Sequence, residues 1–203
     1  MNEHIRTLLD DYPKLESCSR EIEMAFQALS ECYRNSGKVL LCGNGGSAAD
    51  CEHWSAELMK GFRRERPLPE KWKKKLPRLL AENLQQALPA IPLTGFLSLN
   101  TAFANDVSAE LVFAQSVWAL GQPGDILIGI STSGDAKNVC AAIQTANAKE
   151  MVTIGLTGEQ GGLLADLAGI VIRAPATEVH RVQQYHLPIY HCLCLMLEEA
   201  FFS

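Results

Sequence analysis

No run in this 203-residue chain reaches the roughly 18–20 unbroken apolar residues that a bilayer-spanning helix needs. The opening residues, MNEHIRTLLDDYPK, lack the apolar centre of a secretion signal, so a cytoplasmic protein is expected. Neither sign of charge dominates: 18 Lys and Arg against 23 Asp and Glu leave −5, which argues against a general nucleic-acid binder. None of the seven cysteines pairs at C-x-x-C spacing, which removes the common zinc and redox motifs. Most lie in apolar runs such as VLLCGN and HCLCLML and read as buried thiols in a reducing compartment. Internal repeats and low-complexity tracts are also missing. With 47% hydrophobic and 20% charged residues, the chain suits one domain, 1–203, with a sizeable core, and not a disordered segment.

Helical and strand signals alternate along most of that length. Residues 2–35 carry apolar side chains at helical spacing, divided by Pro13 and closed by Asn35-Ser36-Gly37. Short apolar runs predict five buried strands: Lys38–Cys42, Ala90–Leu93, Asp125–Ile130, Met151–Leu156 and Ile170–Arg173. Helices are expected from Ser47, over Asp106–Leu120, over 136–149, over Leu163–Asp166, and from Glu178 to Phe202. This alternation predicts an α/β fold with a parallel sheet covered by helices on both faces. Ligands in such sheets bind beyond the C-terminal strand ends, which singles out GNGGS after the first strand and STSG after the third.

Two readings stand for each loop. Gly43-Asn44-Gly45-Gly46-Ser47 suits an anion, because glycine lets backbone N–H groups approach closely and a helix N-terminus follows. It also suits a plain tight turn in which Ser47 caps the helix. The same helix carries His53 and Glu57 at i, i+4, on one face, where they can share a proton or a metal ion, or simply satisfy each other. Cys51, two residues from His53, should point away from that face. On the last helix stand Gln183, His186 and His191, with Pro188 expected to kink it. Nitrogen and oxygen donors of this kind suit zinc.

Segment 63–89 looks inserted. Residues 63–78 (RRERPLPEKWKKKLPR) hold eight basic and two acidic side chains. A solvated, flexible arm is the plain expectation. The alternatives are an arm that docks a nucleic acid, with Trp72 stacking on a base, or an acidic partner, or a rim that draws in a phosphate dianion.

The ordered series GNGGSAADCEHWSAEL, NTAFAND, GDILIGISTSGDAKNV, TGEQGG and HRVQQYHLPIYH resembles the sugar isomerase (SIS) family, and within it the phosphoheptose isomerases. The resemblance implies a flavodoxin-like three-layer α/β/α sandwich with a five-stranded parallel sheet. It implies interconversion of sedoheptulose 7-phosphate and an aldoheptose 7-phosphate. Carried over, Asn44, Gly45 and Gly46 line the substrate. Ser131, Thr132 and Ser133 take its phosphate, with Ser47 nearby, and Asn105 and Asp106 hold sugar hydroxyls. His53, Glu57, Gln183 and His191 bind one zinc ion. Gln183 also reaches the substrate, and Glu57 and His191 form the catalytic pair. The family forms homotetramers with sites at subunit interfaces. Four features depart from its pattern: Asp135-Ala136 after STSG, His180 before Arg181, Pro188 in the last helix, and the basic insertion. A non-catalytic member of the fold, such as a DnaA-initiator-associating protein, is the alternative. That group is depleted in the carboxylate and late histidine that this chain keeps.

Overall fold

The computed structural model describes residues 2–202. Five strands form one parallel sheet: β1 (Val39–Gly43), β2 (Ala90–Pro92), β3 (Ile126–Ser131), β4 (Val152–Thr157) and β5 (Ile170–Arg173), in the order β2-β1-β3-β4-β5. Every pairing is parallel. All five expected strands are present, each shifted by no more than a residue or so at its ends. The strand order is the flavodoxin-like one, with its switch point between β1 and β3.

Helices cover both faces. On one face lie α1 (Glu3–Asp11), α2 (Ser19–Arg34), α3 (Gly46–Met59) and α10 (Val179–Phe202), whose apolar side chains pack on Val39, Leu41, Ile128, Ile154 and Ile172. On the other lie α7 (Val112–Leu120), α8 (Lys137–Ala148) and α9 (Gly162–Leu167), packed on Leu40, Cys42 and Leu127. Alternate residues of β1 thus feed opposite cores, as the period of two requires. At the N-terminal end of the sheet the buried Asp125 carboxylate accepts the N–H groups of Lys38 and Gln122 and pairs with the Lys38 ammonium. That contact fixes β1 beside β3. Gly43 then pairs with Ile130, so the loops after the two strands emerge side by side.

Three expectations need correction. The helix expected over 106–120 starts earlier and is broken. α6 (Leu97–Phe103) runs into a π turn over Ala104–Ser108 and a 3₁₀ turn over Ala109–Leu111 before α7. The Ser108 hydroxyl accepts the Glu110 N–H and restarts the helix there. Ser47 is not a cap: Gly45 holds the N-cap position and Ser47 is buried in the first turn of α3. The basic insertion is closed at its base, not loose along its length. Gly61 N–H donates to Gln85 Oε1 at 2.6 Å and Gln86 N–H to the Arg66 carbonyl at 2.7 Å. Between them run two short helices, α4 (Glu70–Lys73) and α5 (Arg78–Asn83). The Lys75 and Lys71 ammonium groups sit 4.8 and 5.6 Å from the centre of the Trp72 ring, which is half exposed.

The strongest anchor of this segment is a buried ion pair. Arg66 Nε donates to Glu198 Oε1 at 2.8 Å, and both side chains are almost fully enclosed. The Glu198 carboxylate also accepts the N–H groups of Phe62, Arg63 and Arg64. Arg66 in turn donates to the carbonyls of Leu58 and Glu57, which lack helical partners at the end of α3. Burial alone pushes the Glu198 carboxyl up, but the Phe62 and Arg63 amides and the Arg66 guanidinium outweigh it and hold it below its usual value.

Two predictions follow from these contacts. Arg66→Met leaves the Glu198 charge enclosed with its strongest partner gone, and should cost about 3–5 kcal/mol in urea unfolding; a loss under about 1 kcal/mol would show the pair to be incidental. His186 is buried with its Nε2 beside the Thr157 carbonyl at 3.3 Å, and burial pushes its pKa down from 6.5 to about 4. Below the higher value the unfolded chain takes up a proton that the folded chain refuses, so this contribution is complete above it and lost as pH falls towards the lower one. Stability should drop by about 2 kcal/mol between about pH 7 and about pH 5 from this ring alone. His186→Leu should lessen that slope; parallel curves for the two proteins would contradict the assignment.

Candidate active site

The two polar loops lie together at the switch point, as expected. In the first, Gly45 has φ +55° and opens α3. Gly46 is needed for close approach: a Cβ there would sit 2.3 Å from Gln183 Nε2, so the Gln183 amide rests on the first turn of α3. Asn44 and Asn138 exchange amide hydrogen bonds at 2.8 and 2.9 Å, tying this loop to the first turn of α8. In the second loop, Gly134 N–H donates to the Ser131 carbonyl and hydroxyl, and Asp135 N–H to the Ser133 hydroxyl. Ser133 is exposed, Thr132 half-buried and Ser131 buried. TGEQGG folds against this turn: Gly134 has φ +78°, and a Cβ on it would lie 1.9 Å from the Gly161 carbonyl oxygen. The Asp135 carboxylate accepts the Leu163 N–H at 2.9 Å, so its charge is engaged by the start of α9.

His53 and Glu57 share one face of α3, with His53 Nε2 3.3 Å from Glu57 Oε1. Glu57 Oε2 is held by the Lys60 ammonium at 3.0 Å. From α10, the His191 ring stands 5.1 Å from the His53 ring, centre to centre, and 5.2 Å from Phe62. Thus His53, Glu57 and His191 converge within one chain. Burial pushes the His191 ring down, helped by the neighbouring His53, which favours the neutral imidazole. Its Nε2 is buried with no hydrogen-bond partner.

α10 runs continuously through Pro188, and two turns, about 12 Å of rise, separate Gln183 from His191. Among the described residues no three His, Cys, Asp or Glu side chains group as a metal-binding set. Lys60 takes one oxygen of Glu57, and the His191 and His53 rings meet edge to face, 88° between planes. Asn105 and Asp106 lie exposed in the π turn, the Asn105 amide donating to Asp106. Cys51 is fully buried away from the face, with its thiol pushed well up by burial.

The structure adds residues that sequence reasoning missed. Tyr190 O–H lies 2.9 Å from His53 Nδ1 and donates to Asp50 Oδ1 at 3.4 Å. Asp50, with its carboxyl pushed up by burial, belongs to the i, i+3, i+7 stripe Asp50, His53, Glu57, a spacing visible in the sequence. Tyr190 and Asn138 carried no such signal, since their partners are remote along the chain.

The SIS domain family model matches residues 3–75 and 80–158. A phosphoheptose isomerase of Chromohalobacter salexigens is 43% identical over 185 residues, covering 90% of this chain and 84% of that one. One from Shewanella loihica is 39% identical over 190 residues, covering 92% and 87%. Among solved structures, the phosphoheptose isomerase of Neisseria gonorrhoeae superposes with a TM-score of 0.77 at 31% identity, covering 97% of this chain and 95% of that one. That of Francisella tularensis gives 0.76 at 32%, covering 96% and 94%. A chain matched along nearly its whole length in sequence and in fold, with its two polar loops at the switch point of the sheet, belongs to the phosphoheptose isomerase family of SIS-domain proteins.

Proposed function

We propose that this protein is an aldose–ketose isomerase converting sedoheptulose 7-phosphate to D-glycero-D-manno-heptose 7-phosphate, a precursor of the heptose in lipopolysaccharide. The observation that carries this is the meeting of His53, Glu57 and His191, from α3 and α10, beside two loops rich in hydroxyl and amide groups. The phosphate is assigned to Ser131, Thr132 and Ser133 at the start of α8, with Ser47 nearby, where N–H groups and hydroxyls donate and the helix end adds positive charge. Asn44, Gly45, Gly46 and Gln183 line the sugar, and Asn105 and Asp106 take its hydroxyls.

The chemistry is a proton transfer. Glu57, with the Lys60 ammonium on its Oε2, takes the proton from C1 of the ketose and returns it to C2 of the enediol. His191, whose neutral form burial favours, passes the O1 proton to O2. The donor set also fits a zinc ion: His191 Nε2 is an orphaned buried nitrogen, and His53 Nε2 faces a carboxylate oxygen. His53, Glu57 and His191 would hold the ion, with Gln183 as the further ligand. Bound zinc supplies positive charge where the carbonyl oxygen gains negative charge.

Assembly into a homotetramer with sites near subunit interfaces belongs to the same proposal. It is supported by an exposed apolar row, Phe96, Leu97, Leu99, Val107 and Leu111, on the segment that carries Asn105 and Asp106.

Purified protein should convert sedoheptulose 7-phosphate, and Glu57→Gln and His191→Ala should each lower kcat by about 10²–10⁴-fold. Full turnover in both variants would refute the assigned roles. Leu97→Glu should shift the mass measured by light scattering from a tetramer towards smaller species; an unchanged mass would place the interface elsewhere. Gly46→Ala should raise KM at least about tenfold by pushing Gln183 off the loop, a displacement worth about 1.4 kcal/mol; unchanged KM would remove Gln183 from the sugar site.

A further inference from the structure

Nothing in the proposed reaction uses Tyr190 or Asp50, yet both are placed against His53. Tyr190 is almost fully buried on α10, and its ring stacks on Trp54 at 5.4 Å between centres and 17° between planes. That stacking aims the hydroxyl at one spot, between His53 Nδ1 at 2.9 Å and Asp50 Oδ1 at 3.4 Å. A tyrosine hydroxyl has one proton to give. Two arrangements satisfy the distances. In one, the hydroxyl donates to Asp50 and accepts the Nδ1 proton of His53. In the other, it donates to Nδ1, and the His53 proton sits on Nε2.

The Asp50 carboxylate decides between them. Its Oδ2 is buried with no partner, and Tyr190 is the one donor to its Oδ1 among the described residues. If Tyr190 gave its proton to His53, a partly buried carboxylate would be left with no donor, whereas Glu57, which would gain the Nε2 proton, already has the Lys60 ammonium. The first arrangement avoids that loss.

We infer that the Asp50–Tyr190 pair acts as a positioning device that keeps the His53 proton on Nδ1 and leaves the Nε2 lone pair facing Glu57. In a neutral ring, that lone pair then opposes a carboxylate oxygen at 3.3 Å, acceptor against acceptor. The pair of groups is thereby set to take a cation between them. A hydrogen-bonded ring N–H that fixes the opposite nitrogen as the ligand is the usual way a metal-binding histidine is oriented. The inference deepens the proposed role of His53; only its metal-binding consequence rests on that role.

The test is made on full-length, metal-free protein labelled with ¹⁵N, using the long-range proton–nitrogen correlations of His53 with the ring neutral. Wild type should show a protonated Nδ1 and a bare Nε2. Tyr190→Phe keeps the ring on Trp54 and should move the population to the Nε2-protonated form. Asp50→Ala frees the tyrosine proton for Nδ1 and should produce the same move, which provides a second variant should the first fail to fold. Zinc affinity, measured by competition with a chromogenic chelator, should fall at least about tenfold in Tyr190→Phe. A wild-type His53 protonated on Nε2, or a tautomer unchanged in whichever variant folds, overturns the inference. The predicted tautomer and its shift in a protein without zinc affinity would sustain the positioning role and sink the metal reading instead.

Discussion

The groups assigned to proton transfer stand on two helices far apart in the chain, so their chemistry depends on what fixes α3 against α10. That constraint is the Glu198 carboxylate. From α10 it gathers three consecutive backbone N–H groups and the Arg66 guanidinium, and Arg66 ties the end of α3 through the carbonyls of Glu57 and Leu58. The basic insertion starts from this knot. Its charges are thus carried on a segment rooted two turns of α10 beyond His191, and its first arginines serve packing before any role at the mouth of the site.

At the opposite end of α3, the sheet does the positioning. Parallel pairing of Gly43 with Ile130 delivers GNGGS and STSG to one edge, and the Asn44–Asn138 amide pair joins them across the switch point. One helix therefore spans the whole site: the GNGGS loop at its N-terminus, His53 and Glu57 further along, the buried ion pair at its end. α10 runs beside it, with Gln183 near the loops and His191 near the carboxylate. The division suits a substrate whose phosphate and reacting carbons lie several bonds apart.

Much of this was legible in the sequence because it rests on local signals. Apolar runs marked the strands, and i, i+4 spacing placed His53 with Glu57. What was hidden depends on tertiary contact. Arg66 sits in a run of charges that composition assigns to solvent, and only the burial of Glu198 explains it. The break before α7 was missed because Leu97, Leu99 and Val107 are exposed, so periodicity of buried residues could not mark the start of α6. The contact of Gln183 with the first turn of α3 was hidden as well, because nothing local to Gly46 marks what approaches it.

The central claim is that Glu57 and His191 act as one unit because α3 and α10 are locked together. A double-mutant cycle on turnover of sedoheptulose 7-phosphate, with Glu57→Gln and His191→Ala alone and combined, measures this directly. Groups serving one transition state are non-additive, so the combined variant should be about as slow as the slower single variant. Losses that multiply would show two independent contributions and contradict the account.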